Sequence, residues 1–61
     1  MKGWNPLKGM MFTIKDVKYI VSQNVWSDTN EFEYMNKENG KKYISKVEDF
    51  NQAVIDGLIE L

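Results

Sequence analysis

The chain has no histidine, no cysteine and no arginine among its 61 residues, and these absences exclude most catalytic chemistry. Without histidine and cysteine it lacks the usual proton shuttle at neutral pH, the thiolate nucleophile and the two commonest transition-metal ligands. Without arginine it lacks the planar group that binds phosphate or carboxylate through two parallel hydrogen bonds. We therefore expect a protein that is not an enzyme and that uses no metal ion and no cofactor.

The sequence also lacks the patterns that direct a chain to a membrane or to a nucleotide. Its four glycines are scattered, so they form no phosphate-binding loop. No apolar run approaches the ~20 residues that cross a bilayer. The N terminus has no continuous apolar stretch of the kind found in secretory signals. These features predict a cytoplasmic protein that does not bind membranes.

Length and composition together predict one small globular domain over residues 1–61. Hydrophobic residues make up 43% of the chain, which is close to the globular average. A domain of this size buries only about 60% of the surface of its unfolded chain. Because no disulfide is available, we expect stability to come from a compact core or, alternatively, from a homodimer.

The last fifteen residues carry the pattern of an amphipathic helix. Ser45 and Glu48 fit a capping box, in which their side chains bind free amides at the helix start. Apolar residues then recur at steps of three and four, as one face of a helix requires. They are Val47, Phe50, Val54, Leu58 and Leu61. This pattern predicts a C-terminal helix in which Gly57 lies in the interior or marks fraying of the last turn.

A β-hairpin is predicted immediately before that helix. Residues 32–36 and 42–45 flank Asn39-Gly40, a residue pair favoured in two-residue type I′ turns. That turn would pair Met35 with Ile44. One face of the hairpin would then collect the aromatic side chains, and these are Phe32, Tyr34 and Tyr43.

The segment before the hairpin allows two interpretations. Its apolar spacing favours a helix over residues 14–23 followed by a strand at 25–26. Its β-branched and aromatic residues favour one strand over 17–26 instead. We adopt the helix, with residues 1–12 as an irregular arm. The resulting expectation is an α+β fold with a small three-stranded antiparallel sheet, the C-terminal helix packed on one face and a short N-terminal helix.

Charge is distributed unevenly along the chain. Residues 1–24 hold four lysines and one acid, whereas residues 47–61 hold four acids and no base. On the predicted helix these acids form one face opposite the apolar stripe, and they are Glu48, Asp49, Asp56 and Glu60. An ordinary solvated helix face explains them, but the absence of any base also fits a surface that docks onto a basic partner.

Two other surfaces compete with the acidic helix face. Lysines cluster on and around the predicted hairpin, where with nearby aromatic residues they would suit nucleic acid. They are Lys37, Lys41, Lys42 and Lys46. Trp4 and Trp26 lie outside the clear apolar stripes, so each either seals the core or anchors an interface.

Two loose resemblances bear on function. Residues 25–61, with three predicted strands, a helix, and Phe50 and Ala53 near the helix start, are similar in outline to DNA-binding modules of some phage and transposon integrases. The small size and acidic helix are similar in style to phage-encoded inhibitors of host enzymes, such as anti-CRISPR or DNA-mimic proteins. We therefore expect an accessory or inhibitor protein of a phage or mobile element that binds a larger host macromolecule. A protein is the expected partner. The alternative is nucleic-acid binding through the lysine-bearing sheet face.

Overall fold

A computed structural model of the chain describes residues 5–61, and most of that part is β-sheet. Five antiparallel strands form a curled half-barrel with the strand order β4-β3-β2-β1-β5. The elements are β1 (Met11–Ile14), β2 (Val17–Trp26), β3 (Glu31–Asn36), β4 (Lys42–Lys46), the helix α1 (Val47–Ile55) and β5 (Ile59–Glu60). The prediction of a three-stranded sheet with a helix packed on it is therefore wrong.

The segment assigned to an N-terminal helix is instead the longest strand of the sheet, which matches the alternative strand over 17–26. A helix through residues 14–23 is wrong because the backbone turns sharply at Lys15 and Asp16. Their φ angles are 48° and 67°. Both residues therefore lie in the left-handed region, as a two-residue type I′ turn requires, and Ile14 pairs with Val17 across it.

Strand β2 contains two irregularities where it pairs with β3. Val21 lies opposite Tyr34, but Gln23 lies opposite Glu33 and Trp26 opposite Glu31. Strand β2 thus has two extra residues over this stretch, which is the signature of β-bulges. Bulges increase local twist, and they accompany the curl that turns this sheet into a half-barrel.

The β3–β4 hairpin is present, but its register differs from the predicted one by two residues. Tyr34 lies opposite Tyr43, and Met35 lies opposite Lys42 rather than Ile44. Because side chains alternate with a period of two, a shift of two residues leaves every side chain on its predicted face. The aromatic face was therefore predicted correctly although the pairing was not.

The turn of this hairpin is a longer loop in which the side chains of Asn36 and Asn39 accept backbone amides. The Asn36 N–H donates to the Lys41 carbonyl at 2.8 Å, and the five residues 37–41 separate β3 from β4. The Asn36 Oδ1 accepts the N–H of Glu38 at 2.7 Å and that of Asn39 at 3.4 Å. Gly40 alone in this loop has a positive φ, of 74°. A type I′ turn is therefore excluded, because it needs two such residues.

Helix α1 begins without the predicted capping box. Ser45 lies in β4 opposite Phe32, and its hydroxyl donates to the Lys46 carbonyl at 3.2 Å. Lys46 is the N-cap residue, and its side chain makes no capping hydrogen bond. Ser45 cannot cap α1 because the strand runs directly into the helix.

The helix also ends six residues before the C terminus, at Ile55. The Leu58 N–H donates to the Ala53 carbonyl at 2.9 Å, and the Gly57 N–H donates to the Val54 carbonyl at 3.1 Å. With a φ of 78° at Gly57, these bonds form a Schellman motif. The chain then reverses into β5, so the prediction that Gly57 lies inside a helix reaching the C terminus is wrong.

The core lies between the concave face of the sheet and α1. Its buried members come from every layer, and they are Phe12, Val21, Phe32, Val47, Phe50 and Ile59. Phe50 of α1 packs edge-on against Phe12 and Phe32, with ring centroids 5.1 Å apart in each pair. Phe32 is 0% exposed, so this contact is the centre of the fold.

Candidate functional site

Three tyrosines form one aromatic cluster on the concave face, which we call the tyrosine surface. Tyr19 comes from β2, Tyr34 from β3 and Tyr43 from β4. The Tyr34 ring stacks on Tyr43 at 5.3 Å and meets Tyr19 edge-on at 5.4 Å. Tyr19 and Tyr43 are 6.2 Å apart. Each ring is partly exposed, so the cluster presents aromatic surface to solvent.

The tyrosine surface continues the phenylalanine core beyond the reach of α1. Phe12 stacks on Tyr19 at 5.6 Å and meets Tyr34 edge-on at 5.4 Å. A nine-residue helix is about 14 Å long, whereas the longest dimension of the molecule is 30 Å. Phe50 of α1 meets Phe12 and Phe32, whereas the three tyrosines lie at the edge of this core and are half-buried. Phenol rings suit this position because they combine an apolar body with a polar tip.

An open groove of about 260 Å³ runs between α1 and the concave face and meets the tyrosine surface at Tyr34. Its wall is mostly apolar, and it is lined by Phe12, Ile14, Tyr34, Ser45, Asp49, Phe50, Ala53, Leu58 and Ile59. Pockets that hold whole small molecules measure roughly 300–1,000 Å³. The groove is therefore suited to one or two side chains of a larger ligand.

The electrostatic environment of the cluster differs from that of free tyrosine. Burial is the main reason that the pKa of Tyr34 is raised above its ordinary value of 10.0, and the nearby phenols of Tyr19 and Tyr43 raise it further. The Tyr34 hydroxyl is therefore neutral at physiological pH and can both donate and accept a hydrogen bond. Lys41 lies over the Tyr43 ring, with its Nζ 5.5 Å from the ring centroid.

The predicted acidic helix face is divided between different elements. Glu48 and Asp49 lie in the first turn of α1, where negative charge is favourable beside the helix N terminus. Asp56 is the C-cap residue and accepts a hydrogen bond from Gln52 at 3.0 Å. Glu60 is not helical, because it belongs to β5. All four acids are exposed, but they do not form one helical stripe.

The predicted lysine surface is likewise divided. Lys42 and Lys46 lie on the convex face of β4, which is opposite the tyrosines. Lys42 Nζ is 3.9 Å from a Glu33 carboxylate oxygen, and Lys46 lies opposite Glu31. Lys37 and Lys41 lie in the β3–β4 loop. Only Lys41 approaches an aromatic ring of the cluster among the lysines that the structure describes.

The two tryptophans proposed as anchors have different outcomes. Trp4 lies outside the described residues. Trp26 lies at the end of β2 opposite Glu31 and is 37% exposed. Apolar side chains are also exposed on the convex face, notably Ile44 at 60% and Met11 at 48%. Of the two predicted anchors, Trp26 is thus not part of the tyrosine surface.

The tyrosine surface was not predicted from the sequence, where Trp4 and Trp26 were the aromatic residues proposed as interface anchors. The usable signal was that Tyr34 and Tyr43 share one face of the predicted hairpin. Tyr19 was hidden inside the segment assigned to a helix. If residues 17–26 are assigned to a strand, Tyr19 can lie on the same face of the sheet as Tyr34 and Tyr43 of the neighbouring strands.

The described residues contain no candidate metal site and no candidate membrane-spanning helix. Within residues 5–61 no group of three or more acidic, histidine or cysteine side chains is arranged to hold a metal ion. No helix in the same range has the length and hydropathy needed to span a bilayer.

Comparisons of this chain with protein-family models, with curated proteins and with solved structures found no match.

Proposed function

We propose that this chain is a non-enzymatic protein-interaction domain that holds a segment of a partner protein against the tyrosine surface. The observation that carries the proposal is the cluster of three half-buried tyrosines at the edge of the core on the concave face. There, Tyr19, Tyr34 and Tyr43 extend the core into solvent, where a partner can bury them. Tyrosine is among the residues that contribute most strongly to protein interfaces, because a large rigid ring is buried at little entropic cost.

The adjoining groove supports a protein partner over a small molecule. At about 260 Å³ it lies below the usual size of small-molecule pockets and is open to the tyrosine surface at Tyr34. A protein segment lying across the tyrosines would insert a side chain there. A host macromolecule as partner and an origin in a phage or mobile element remain predictions from the sequence.

Nucleic acid fits the same surface less well. Binding of single strands needs stacking aromatics next to several cations. Here Lys42 and Lys46 are on the opposite face from the tyrosines, and Glu31 and Glu33 lie beside them. The chain carries a net charge of −1, whereas proteins that neutralise many phosphates are basic. Lys41 beside Tyr43 is a contact that would favour nucleic acid.

A matched pair of variants on neighbouring positions of β4 tests the proposal. Peptides are first selected on the immobilised wild-type protein from a displayed library of random dodecapeptides. Their affinities are then measured for wild type, Tyr43→Ala on the concave face and Ile44→Ala on the convex face. We expect Tyr43→Ala to weaken binding about tenfold or more, which corresponds to ~1.4 kcal/mol, and Ile44→Ala to have little effect.

Circular dichroism and thermal melting confirm that both variants are folded before affinities are compared. A fluorescent single-stranded oligonucleotide is titrated in parallel at low salt. The proposal is overturned if peptide binding is indifferent to Tyr43→Ala, or if the oligonucleotide binds through Tyr43 and no peptide does.

A further inference from the structure

Asp49 gives the groove beside the tyrosine surface a specific charge. Among the described residues that line this groove, Asp49 alone is charged, and the others are apolar, aromatic or hydroxylic. Its side chain is on the first turn of α1, beside Phe50 in sequence, and it is exposed. Within residues 5–61 no lysine forms an ion pair with it. The groove therefore combines an apolar floor with a carboxylate that pairs with no lysine of residues 5–61.

We infer that the partner segment bound at the tyrosine surface carries a lysine or arginine side chain that enters this groove and pairs with Asp49. This inference rests on the proposed function and specifies the chemistry of the partner. A long cationic side chain fits the groove because its methylene stem packs on apolar and aromatic surface while its charged head stays near water.

Charge complementarity selects this occupant over others. Helix α1 carries two acids, Glu48 and Asp49, and no base, so the wall that it forms repels an acidic segment. A cation above Tyr34 or Phe50 is also favoured by the negative face of an aromatic ring. Tyr34 belongs to both the groove and the tyrosine surface, so one extended segment can reach both.

The test is a double-mutant cycle between Asp49 and the basic residue of a selected peptide. The probes are peptides from the random library described above and their variants in which a single lysine or arginine is replaced by glutamine. The protein variants are Asp49→Asn and, as a matched control, Glu48→Gln. Glu48 is the neighbouring exposed acid of the same helical turn and does not line the groove.

We expect selection on wild type to enrich lysine or arginine at one position of the peptides. Replacing that residue by glutamine should weaken binding to wild type and to Glu48→Gln about fivefold, the upper range for an exposed ion pair. The same replacement should have almost no effect on binding to Asp49→Asn, since the two changes remove one interaction.

Three outcomes contradict the inference or the proposal separately. Peptides that bind through the tyrosines without an enriched basic residue leave the proposed function standing and overturn the inference. A basic residue whose replacement weakens Asp49→Asn as much as wild type also overturns the inference, because the charge then pairs elsewhere. Failure to select any peptide that depends on Tyr43 overturns the proposed function itself.

Discussion

The effect of replacing Gly57 by alanine on stability distinguishes the observed helix end from the longer helix that the sequence predicts. In the structure Gly57 has a φ of 78°, and a Cβ built there meets no atom within 4 Å. The cost of alanine is therefore conformational and not steric crowding from neighbours. Placing an L-residue in the left-handed region costs about 1–2 kcal/mol. An interior helical position would give the opposite sign, because alanine there is more favourable than glycine by about 1 kcal/mol.

Urea unfolding and thermal melting of wild type and Gly57→Ala measure this difference. In a domain of this size 1 kcal/mol shifts the midpoint by about 4–8 °C, so we expect the variant to melt roughly 4–16 °C lower. A synthetic chain with D-alanine at position 57 is the control, because D-residues adopt positive φ readily and should melt no lower than wild type. A stabilised or unchanged Gly57→Ala variant would refute the Schellman motif and the return of the chain into β5.

Three further predictions concern the turns and the cluster. Replacing Lys15-Asp16 with Asn-Gly should raise the melting temperature by about 4–8 °C, since ~1 kcal/mol is gained where both residues have positive φ; an unchanged midpoint would contradict the type I′ turn. Asn36→Ala should lower the free energy of unfolding, measured in urea, by about 1–2 kcal/mol, because it removes the acceptor of two loop amides. Asn36→Asp keeps an acceptor at this position and should retain most of that stability. Because the pKa of Tyr34 is raised on folding, the stability it contributes is complete below the unfolded value near 10 and is lost as pH rises through the folded value. Melting temperatures from about pH 9 to pH 11 should therefore fall less for Tyr34→Phe than for wild type, and an equal fall would place the shift elsewhere.

The β3–β4 hairpin shows what alternation alone can predict. The faces of Tyr34, Tyr43, Met35 and Ile44 follow from a period of two and survive a register error of two residues. The predicted type I′ turn was wrong. Asn39-Gly40 is a strong local signal for that turn, but the observed loop depends on the Asn36 side chain, which accepts the amides of Glu38 and Asn39.

The segment from Ile14 to Trp26 shows where local patterns cannot decide. Val17, Val21 and Val25 are four residues apart, a spacing that fits one face of a helix and one face of a strand equally. The turn at Lys15-Asp16 carries little sequence signal, because a lysine is not expected at positive φ. Pairing of β2 with β1 and β3 makes this segment a strand, and its pairs with β3 include long-range ones such as Tyr19 with Asn36, which no local pattern reveals.

The C-terminal segment was misassigned because its apolar spacing continues past the true helix end. Gly57 is the residue that marks that end, since a glycine just after a helix commonly takes the left-handed conformation. Ile59 then pairs with Ile14 of β1, a contact that no local pattern reveals. Because the helix ends before Gly57, the acidic residues are divided between α1 and β5.

The most direct test of the tyrosine surface uses the fact that the chain contains three tyrosines, all of them in the cluster. Isotope labelling of tyrosine rings, with methionine methyls labelled in a second sample, reports on the two faces of the sheet by NMR. Adding a peptide selected on the wild-type protein should shift the ring signals of Tyr19, Tyr34 and Tyr43 and leave those of Met11 and Met35 nearly unchanged. Shifts at the two methionines without shifts at the tyrosine rings would contradict the account and place the binding surface on the convex face.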